Sequence, residues 1–205
     1  MGEEAVGRSG GRRLTASEWR AASDETESHP RSREPEPMAI YVDADACPVK
    51  EEVYRVARRH GEKVFVVANA PLRVPADEAI ELVVVRGGFE AADDWIAGQV
   101  GPGDLVVTAD IPLADRSLKA GARALGPKGI PFADDSIGEA LATRALLDQL
   151  RQAGQYGGGP PPFAKADRSR FLGKLDELLV AIRKERDRAS RSRTDPGQGR
   201  AGGPM

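Results

Sequence analysis

Four predominantly apolar runs lie in the middle of the chain. They occupy residues 40–42, 63–69, 80–86 and 104–109, and valine and isoleucine dominate them. Continuous β-branched runs are typical of strands that are covered on both faces, whereas half-exposed strands alternate apolar and polar residues. The pattern therefore predicts four buried strands, and residues 129–132 predict a short edge strand after them.

Between and after these runs, apolar residues recur at helical spacing. The first example follows Pro48, where Val49, Val53, Val56 and Ala57 share one face and charged residues occupy the other. The sequence from Ser136 to Glu139 has the form of a capping box. Five helices are predicted in all: at residues 48–60, after the Gly87-Gly88 break and through Val100, and at 112–124, 136–153 and 168–188.

Strands that alternate with helices predict an α/β fold. The expected architecture is a three-layer α/β/α arrangement with a central, mostly parallel sheet, right-handed crossovers and an additional C-terminal helix. In such sheets, ligands bind beyond the carboxyl ends of the strands.

Composition divides the chain into four parts. Residues 1–37 are rich in Gly, Ser, Arg, Glu and Pro and are predicted to be a disordered N-terminal extension. Residues 38–156 form the α/β domain, residues 157–188 a Gly/Pro linker followed by a basic helix, and residues 189–205 a disordered tail.

Charge and cysteine content narrow the class of protein. The chain has 30 basic and 32 acidic residues, but ten basic and five acidic residues lie within 165–193. One cysteine excludes an internal disulfide and a multi-cysteine zinc site, which favours a reducing, cytoplasmic setting. No apolar run approaches a membrane span, and the N-terminus lacks the apolar stretch of a signal peptide.

Carboxylates collect at the predicted carboxyl edge of the sheet. Asp43 and Asp45 follow the first strand, Asp110 follows the fourth, and Asp93 shares the packed face of a helix with Ile96. Because gathered carboxylates repel one another, a hard divalent cation such as Mg²⁺ or Mn²⁺ is the expected partner. A cation held there activates water and stabilises phosphodiester hydrolysis, so all four carboxylates are candidate catalytic residues.

Each of these residues also has a purely structural interpretation. Asp45 and Asp110 both precede helices and are candidate N-caps, and Asp93 is a candidate partner in an interhelical salt bridge. Asn69, Arg73 and Thr108 are predicted to contact substrate, as an edge amide, a phosphate-pairing guanidinium and a hydroxyl donor. The corresponding structural roles are a turn asparagine, an internally paired arginine and an ordinary strand residue.

Several motifs together resemble the YaiI/YqxD family of bacterial proteins. They are VDADACPV (42–49), VANAPLRVP (67–75), GFEAADDWI (88–96), LVVTADIPLA (105–114) and RALLDQLRQAG (144–154), with the DRSRF region (167–171). The resemblance spans roughly 38–183. It implies a PIN-like fold, grouped with nucleases that hold a divalent metal at strand ends, and it places Asp43, Asp93 and Asp110 at metal-binding positions. Asp45 has no equally clear equivalent.

Three functions remain open at this stage. The first is a metal-dependent ribonuclease, in which basic residues of the last helix, Arg168 among them, follow the RNA backbone. The second is a non-catalytic RNA-binding or regulatory domain. The third is a haloacid-dehalogenase-type phosphatase, in which Asp43 is the nucleophile, Asp45 the acid/base and Asp134 with Asp135 the Mg²⁺ ligands. The oligomeric state does not follow from the sequence.

Overall fold

The computed structural model describes residues 38–45, 47–88, 90–153 and 163–194. These residues form six strands and five helices. The strands are β1 (Ala39–Asp43), β2 (Lys63–Ala68), β3 (Ile80–Val84), β4 (Leu105–Val107), β5 (Arg123–Leu125) and β6 (Pro131–Phe132). The helices are α1 (Lys50–His60), α2 (Ala91–Gln99), α3 (Ile111–Lys119), α4 (Asp134–Gln152) and α5 (Lys165–Thr194).

The strands form one sheet in the order β3-β2-β1-β4-β5-β6. All neighbouring pairs are parallel except β5 and β6, which are antiparallel. Val42 in the central strand pairs with Val66 on one side and Val107 on the other, and all three are completely buried. The predicted α/β architecture with a mostly parallel sheet is confirmed.

Helices cover both faces of the sheet, which is why the strand sequences do not alternate. On one face, α1 and α5 pack against side chains such as Ile40 and Val64. On the other face, α2 and α3 pack against Tyr41 and Val106. The three-layer arrangement predicted from the sequence is therefore present.

Helix α5 lies along the sheet in the direction opposite to the parallel strands. Near its start, Arg168 bonds Glu52 of α1, which follows the carboxyl end of β1. Near its far end, Arg183 bonds Glu62, which precedes β2, and Glu185 bonds Arg123 at the start of β5. The helix therefore runs from the carboxyl edge of the sheet to the amino edge.

Gly129, in the β5–β6 turn, lies directly against the backbone of α5. A Cβ atom built on Gly129 would lie 2.6 Å from the backbone nitrogen of Phe171 and 2.7 Å from the carbonyl carbon of Arg170. Gly129 also has a φ of +74°, in the left-handed region that glycine adopts most easily. Both constraints require glycine here.

The segment predicted as a helix over 112–124 is wrong in its second half. Helix α3 ends at Lys119, Gly121 turns the chain with a φ of +87°, and residues 123–125 form β5. A three-residue strand is too short to show a period, and the alanines around it favour helix on propensity alone.

Two helix boundaries also differ from the predictions. Helix α4 begins at Asp134, so Ser136 lies inside the first turn, where its hydroxyl donates to the Ala133 carbonyl rather than forming the predicted capping box. Helix α5 continues to Thr194, beyond the predicted end at 188 and into the segment predicted to be disordered. The predictions for residues 1–37, and for a linker at 157–162, concern parts of the chain outside the described residues. None of the described helices is both long and apolar enough to cross a membrane.

Candidate functional site

The site lies where β1 and β4 run side by side. After β1 the chain enters α1 on one face of the sheet, and after β4 it enters α3 on the other. This divergence opens a crevice at the carboxyl ends of the two strands, the usual ligand position in open α/β sheets. Asp43 ends β1, and Thr108 directly follows β4, so both residues face this crevice.

Thr108 links the two strand ends. Its side chain is completely buried, and its hydroxyl donates to Asp43 Oδ2 over 2.8 Å. The same hydroxyl oxygen accepts the backbone N–H of Asp110 over 2.9 Å. Thr108 therefore fixes the orientation of the Asp43 carboxylate.

Both carboxylate oxygens of Asp110 have protein partners. Oδ1 accepts the backbone N–H of Leu113 over 3.0 Å, so Asp110 is the N-cap of α3, as its structural interpretation predicted. Oδ2 receives Arg144 Nη1 of α4 over 2.9 Å. Asp110 therefore adds negative charge to the crevice, while both its oxygens are held by the helix and by Arg144.

Asp93 reaches the site from α2 and is partly buried. Trp95 helps to seat this helix, since its ring lies 6.2 Å from that of Tyr41 and 6.3 Å from that of Phe65. Burial, together with the negative charges of Asp43 and Asp110, raises the pKa of Asp93 to about 6, and Arg116 opposes the rise. Asp93 on α2 therefore lies close enough to Asp43 of β1 and to Asp110 at the start of α3 for their charges to act on it.

The pKa of the Asp43 carboxyl is also raised. Burial raises the pKa of its carboxyl, the charges of Asp45 and Asp110 raise it further, and hydrogen bonds from Thr108 and from the Asp45 backbone oppose these effects. A carboxylate with a raised pKa is one whose charged form the protein destabilises. Burial first, and then the two neighbouring carboxylates, therefore act against the charged form of Asp43.

Asp45 and Asn69 form a neighbouring pair at the same edge. The Asn69 amide donates to Asp45 Oδ2 over 2.8 Å, and its backbone N–H donates over 3.2 Å. Asp45 is exposed, and α1 has Val49 as its N-cap without a side-chain cap bond. The predicted capping role of Asp45 is therefore wrong; the residue joins the ends of β1 and β2.

The two predicted arginines differ in their environments. Arg73 is exposed in the segment after β2 and makes no ion pair within the part of the chain that the structure describes. Arg168 pairs with the buried Glu52 over 2.5 Å, and its guanidinium lies 5.2 Å from the centre of the Phe163 ring. Arg168 therefore helps to attach α5 to α1, and much of its charge is neutralised there.

Sequence reasoning missed Arg144. The residue begins one of the motifs that carried the family resemblance, which was the available signal, but a helical arginine thirty-four positions from Asp110 shows no sequence pattern that pairs it with an acid. Arg116 was missed for the same reason; it pairs with Asp94 over 2.8 Å and lies close enough to lower the pKa of Asp93.

The donor set for a metal consists of carboxylate oxygens. Across the described ranges, no three His, Cys, Asp or Glu side chains are arranged as a ready-made ligand cluster. Asp43 and Asp93 are the two crowded carboxylates with raised pKa values, and Asp110 is occupied by Leu113 and Arg144.

The sequence that forms this site is similar to one known protein family. The family model described as "Uncharacterized BCR, YaiI/YqxD family" matches residues 41–181, which run from the middle of β1 into α5 and include all the residues of the crevice. The chain belongs to this family. No solved structure matches it.

The similarity to individual relatives covers nearly the whole length of each relative. A UPF0178 protein of Sphingopyxis alaskensis is 62% identical over 146 residues, which are 71% of this chain and 95% of that protein. A UPF0178 protein of Rhodopseudomonas palustris is 56% identical over 153 residues, 75% of this chain and 93% of the relative. One of Caulobacter vibrioides is 57% identical over 145 residues, with shares of 71% and 95%.

The raised pKa of Asp93 predicts a pH dependence of stability. Between about pH 4 and pH 6, the unfolded chain has lost this proton while the folded protein retains it, so the free energy of unfolding falls as the pH rises through that window. After allowance for solvent screening of a partly exposed group, we expect Asp93→Asn to gain about 1 kcal/mol over the wild type at pH 7. Urea denaturation of both proteins at pH 4.5 and pH 7 measures this. An equal difference in the free energy of unfolding between the variant and the wild type at both pH values would contradict the prediction.

Proposed function

We propose that this protein is a divalent-cation-dependent phosphodiester hydrolase that acts on RNA, with its reaction centre at Asp43 and Asp93. One observation supports the proposal above all. Asp43 at the end of β1 and Asp93 on α2 lie beside Asp110 at the carboxyl edge of two parallel strands, and burial together with neighbouring carboxylate charges raises the pKa of both Asp43 and Asp93. Excess negative charge at such a position favours a cationic ligand over an anionic one.

The residues fit a magnesium or manganese ion in their chemistry. Mg²⁺ is commonly held by one or two carboxylates and completes its shell with water and substrate phosphate oxygens, so a cage of three protein ligands is not required. Asp43 and Asp93 would hold the ion, and Asp110 would contribute its charge. When bound, the cation would supply an activated water and charge neutralisation at the phosphate.

The other residues of the crevice have roles that follow from their contacts. Thr108 holds the Asp43 carboxylate in one orientation through the 2.8 Å hydrogen bond. Asp45, fixed by Asn69, is the exposed carboxylate beside Asp43 and accepts a proton from the attacking water. Arg73, exposed at the same side of the sheet, pairs with a substrate phosphate.

The preference for RNA rests on the resemblance to PIN-like nucleases. A cytoplasmic location is the matching proposal, since the single cysteine is buried and unpaired. Both are parts of the same hypothesis, and neither depends on the identity of the cation.

The phosphatase alternative loses its metal ligands in this fold. It requires Asp134 and Asp135 beside Asp43. Asp134 instead lines a cavity with Gly121 and Arg123, at the start of β5 and so at the opposite edge of the sheet. The structure therefore favours an acidic site built from Asp93 and Asp110 over one that includes Asp134.

Calorimetric titration with MnCl₂ tests the proposal directly. We expect the wild type to bind Mn²⁺ with a measurable heat, and Asp43→Asn to lose at least tenfold in affinity because one of two holding carboxylates is gone. Asp94→Asn is the matched control, since Asp94 is on the same helix as Asp93 but is exposed and paired with Arg116. Absence of Mn²⁺ binding in the wild type would refute the cation-dependent mechanism, and retained RNA binding without hydrolysis would favour the binding-domain alternative.

A further inference from the structure

The outer side of α5 has a row of unneutralised positive charges near its C-terminal end. Lys184, Arg188 and Arg191 are spaced at i, i+4 and i+7, which places them on one face of the helix. All three are exposed, and none forms an ion pair with another described residue. We call these three residues the basic stripe.

The stripe lies on the side of α5 that faces away from the core. The buried residues Phe171, Leu175, Leu179 and Ile182 define the opposite side at about half a turn from Lys184. Beyond Ile182 the neighbouring charges are used differently, because Arg183 pairs with Glu62 and Glu185 with Arg123. The paired charges hold the helix to the domain, while the stripe contributes nothing to that attachment.

Most other cations of the described chain are neutralised. Ion pairs hold Arg58, Arg59, Lys63, Arg116, Lys119, Arg123, Arg144, Arg168, Arg170, Lys174 and Arg183. The stripe differs from these cations because its three charges lie together on one helix face without an ion pair to another described residue. Asp187, three residues after Lys184 and four before Arg191, lies beside the stripe and reduces its potential.

We propose that the basic stripe binds the phosphate backbone of the nucleic-acid substrate at a second position, away from the reaction centre. The charges extend over about 10 Å of helix, a length over which one strand of a duplex has about three phosphates. Flexible cations on an exposed helix match a repeating row of anions and require no base recognition. The nature of the ligand rests on the proposed function, but the contact itself does not require hydrolysis.

The position of the stripe sets a minimum length for a substrate that uses both sites. Lys184 lies nineteen residues after Lys165, so the stripe begins about 29 Å along α5 from the edge of the sheet that contains Asp43. At about 3.4 Å per nucleotide, a strand needs on the order of nine nucleotides to span this distance. Shorter RNA would reach the reaction centre without the stripe.

Fluorescence anisotropy of labelled RNA, with the full chain in EDTA, separates binding from cleavage. The test variant is Lys184→Gln/Arg188→Gln/Arg191→Gln, and the control Arg55→Gln/Lys63→Gln/Lys119→Gln removes the same charge elsewhere. For a 20-nucleotide RNA at 0.1 M salt, we expect the test variant alone to lose about tenfold in affinity. For the test variant, the slope of the logarithm of the RNA association constant against the logarithm of the salt concentration should be smaller in magnitude by about two than for the wild type. This is the change expected for three lost phosphate contacts. A 5-nucleotide RNA should bind both variants equally.

Hydrolysis of bis(4-nitrophenyl) phosphate keeps the two proposals distinguishable. This small diester cannot reach the stripe, so the test variant should cleave it at the wild-type rate; a wild type without this activity would count against the reaction centre alone. Equal RNA affinity or equal salt slopes for the two triple variants would overturn the stripe. Polyglutamate that competes as well as RNA of equal charge would also overturn it, in favour of an acidic protein partner.

Discussion

Alanine at Gly129 should destabilise the protein by at least about 3 kcal/mol. The added methyl group would lie 2.6 Å from the Phe171 nitrogen, a backbone atom that cannot rotate away, and the φ of +74° adds strain for any residue with a Cβ atom. Relief requires α5 to move off the β5–β6 turn, which separates Phe171 from the core. Urea denaturation followed by circular dichroism measures the loss.

Gly173→Ala provides the control for this substitution. Gly173 lies in α5, two residues from Phe171, and its new Cβ would have no atom within 4 Å apart from its chain neighbours and the adjacent backbone of its own helix. Because alanine favours helix over glycine, we expect this variant to be more stable by about 0.5–1 kcal/mol. A destabilised Gly173→Ala, or a Gly129→Ala variant close to wild type, would show that α5 does not pack against the turn as described.

Replacing Asp43 by asparagine should reduce cation-dependent RNA hydrolysis by at least about a hundredfold. The substitution removes one of two carboxylates that would hold the cation, while its side-chain oxygen still accepts the hydrogen bond from Thr108. Initial rates with Mn²⁺ on a labelled RNA, with Asp94→Asn beside it, give the comparison.

The stability of the Asp43→Asn protein, in contrast to its activity, should not fall. The raised pKa shows that the fold destabilises the charged form of Asp43, so loss of the charge should leave the free energy of unfolding at pH 7 unchanged or increased. A variant that is folded and inactive excludes unfolding as the cause of the lost activity. An Asp43→Asn protein with wild-type rates would remove Asp43 from the reaction centre.

The sequence contained enough information for the architecture and for the edge at which the site lies. Runs such as 63–69 are continuous because helices cover both faces of β2, and a continuous run followed by a polar residue identifies the carboxyl end of a strand. Asp43 follows the run 40–42, and Thr108 lies near the end of the run 104–109, directly after β4. Their proximity required the order of the strands, which parallel pairing of β1 with β4 supplies.

What the sequence lacked was information about long-range partners. Strand β5 exists because β4 offers it an open edge, and three residues have no period that would reveal this. Asp110 was predicted as a metal ligand or a cap, and its pairing with Arg144 depends on how α4 packs on α3. Arg168 was predicted to contact substrate, and its pairing with Glu52 depends on how α5 crosses α1.

The contribution of α5 to the core has a consequence for biosynthesis. Phe171, Leu175, Leu179 and Ile182 belong to the same core cluster as side chains of β1, β2 and α1, and all four are almost completely buried. A nascent chain that has emerged only through α4 contains every strand, but only α1 then covers one face of its sheet. The chain must therefore emerge from the ribosome as far as residue 182 before the core is complete. Until then, the incompletely covered valines of β1 and β2 are available for binding by a chaperone.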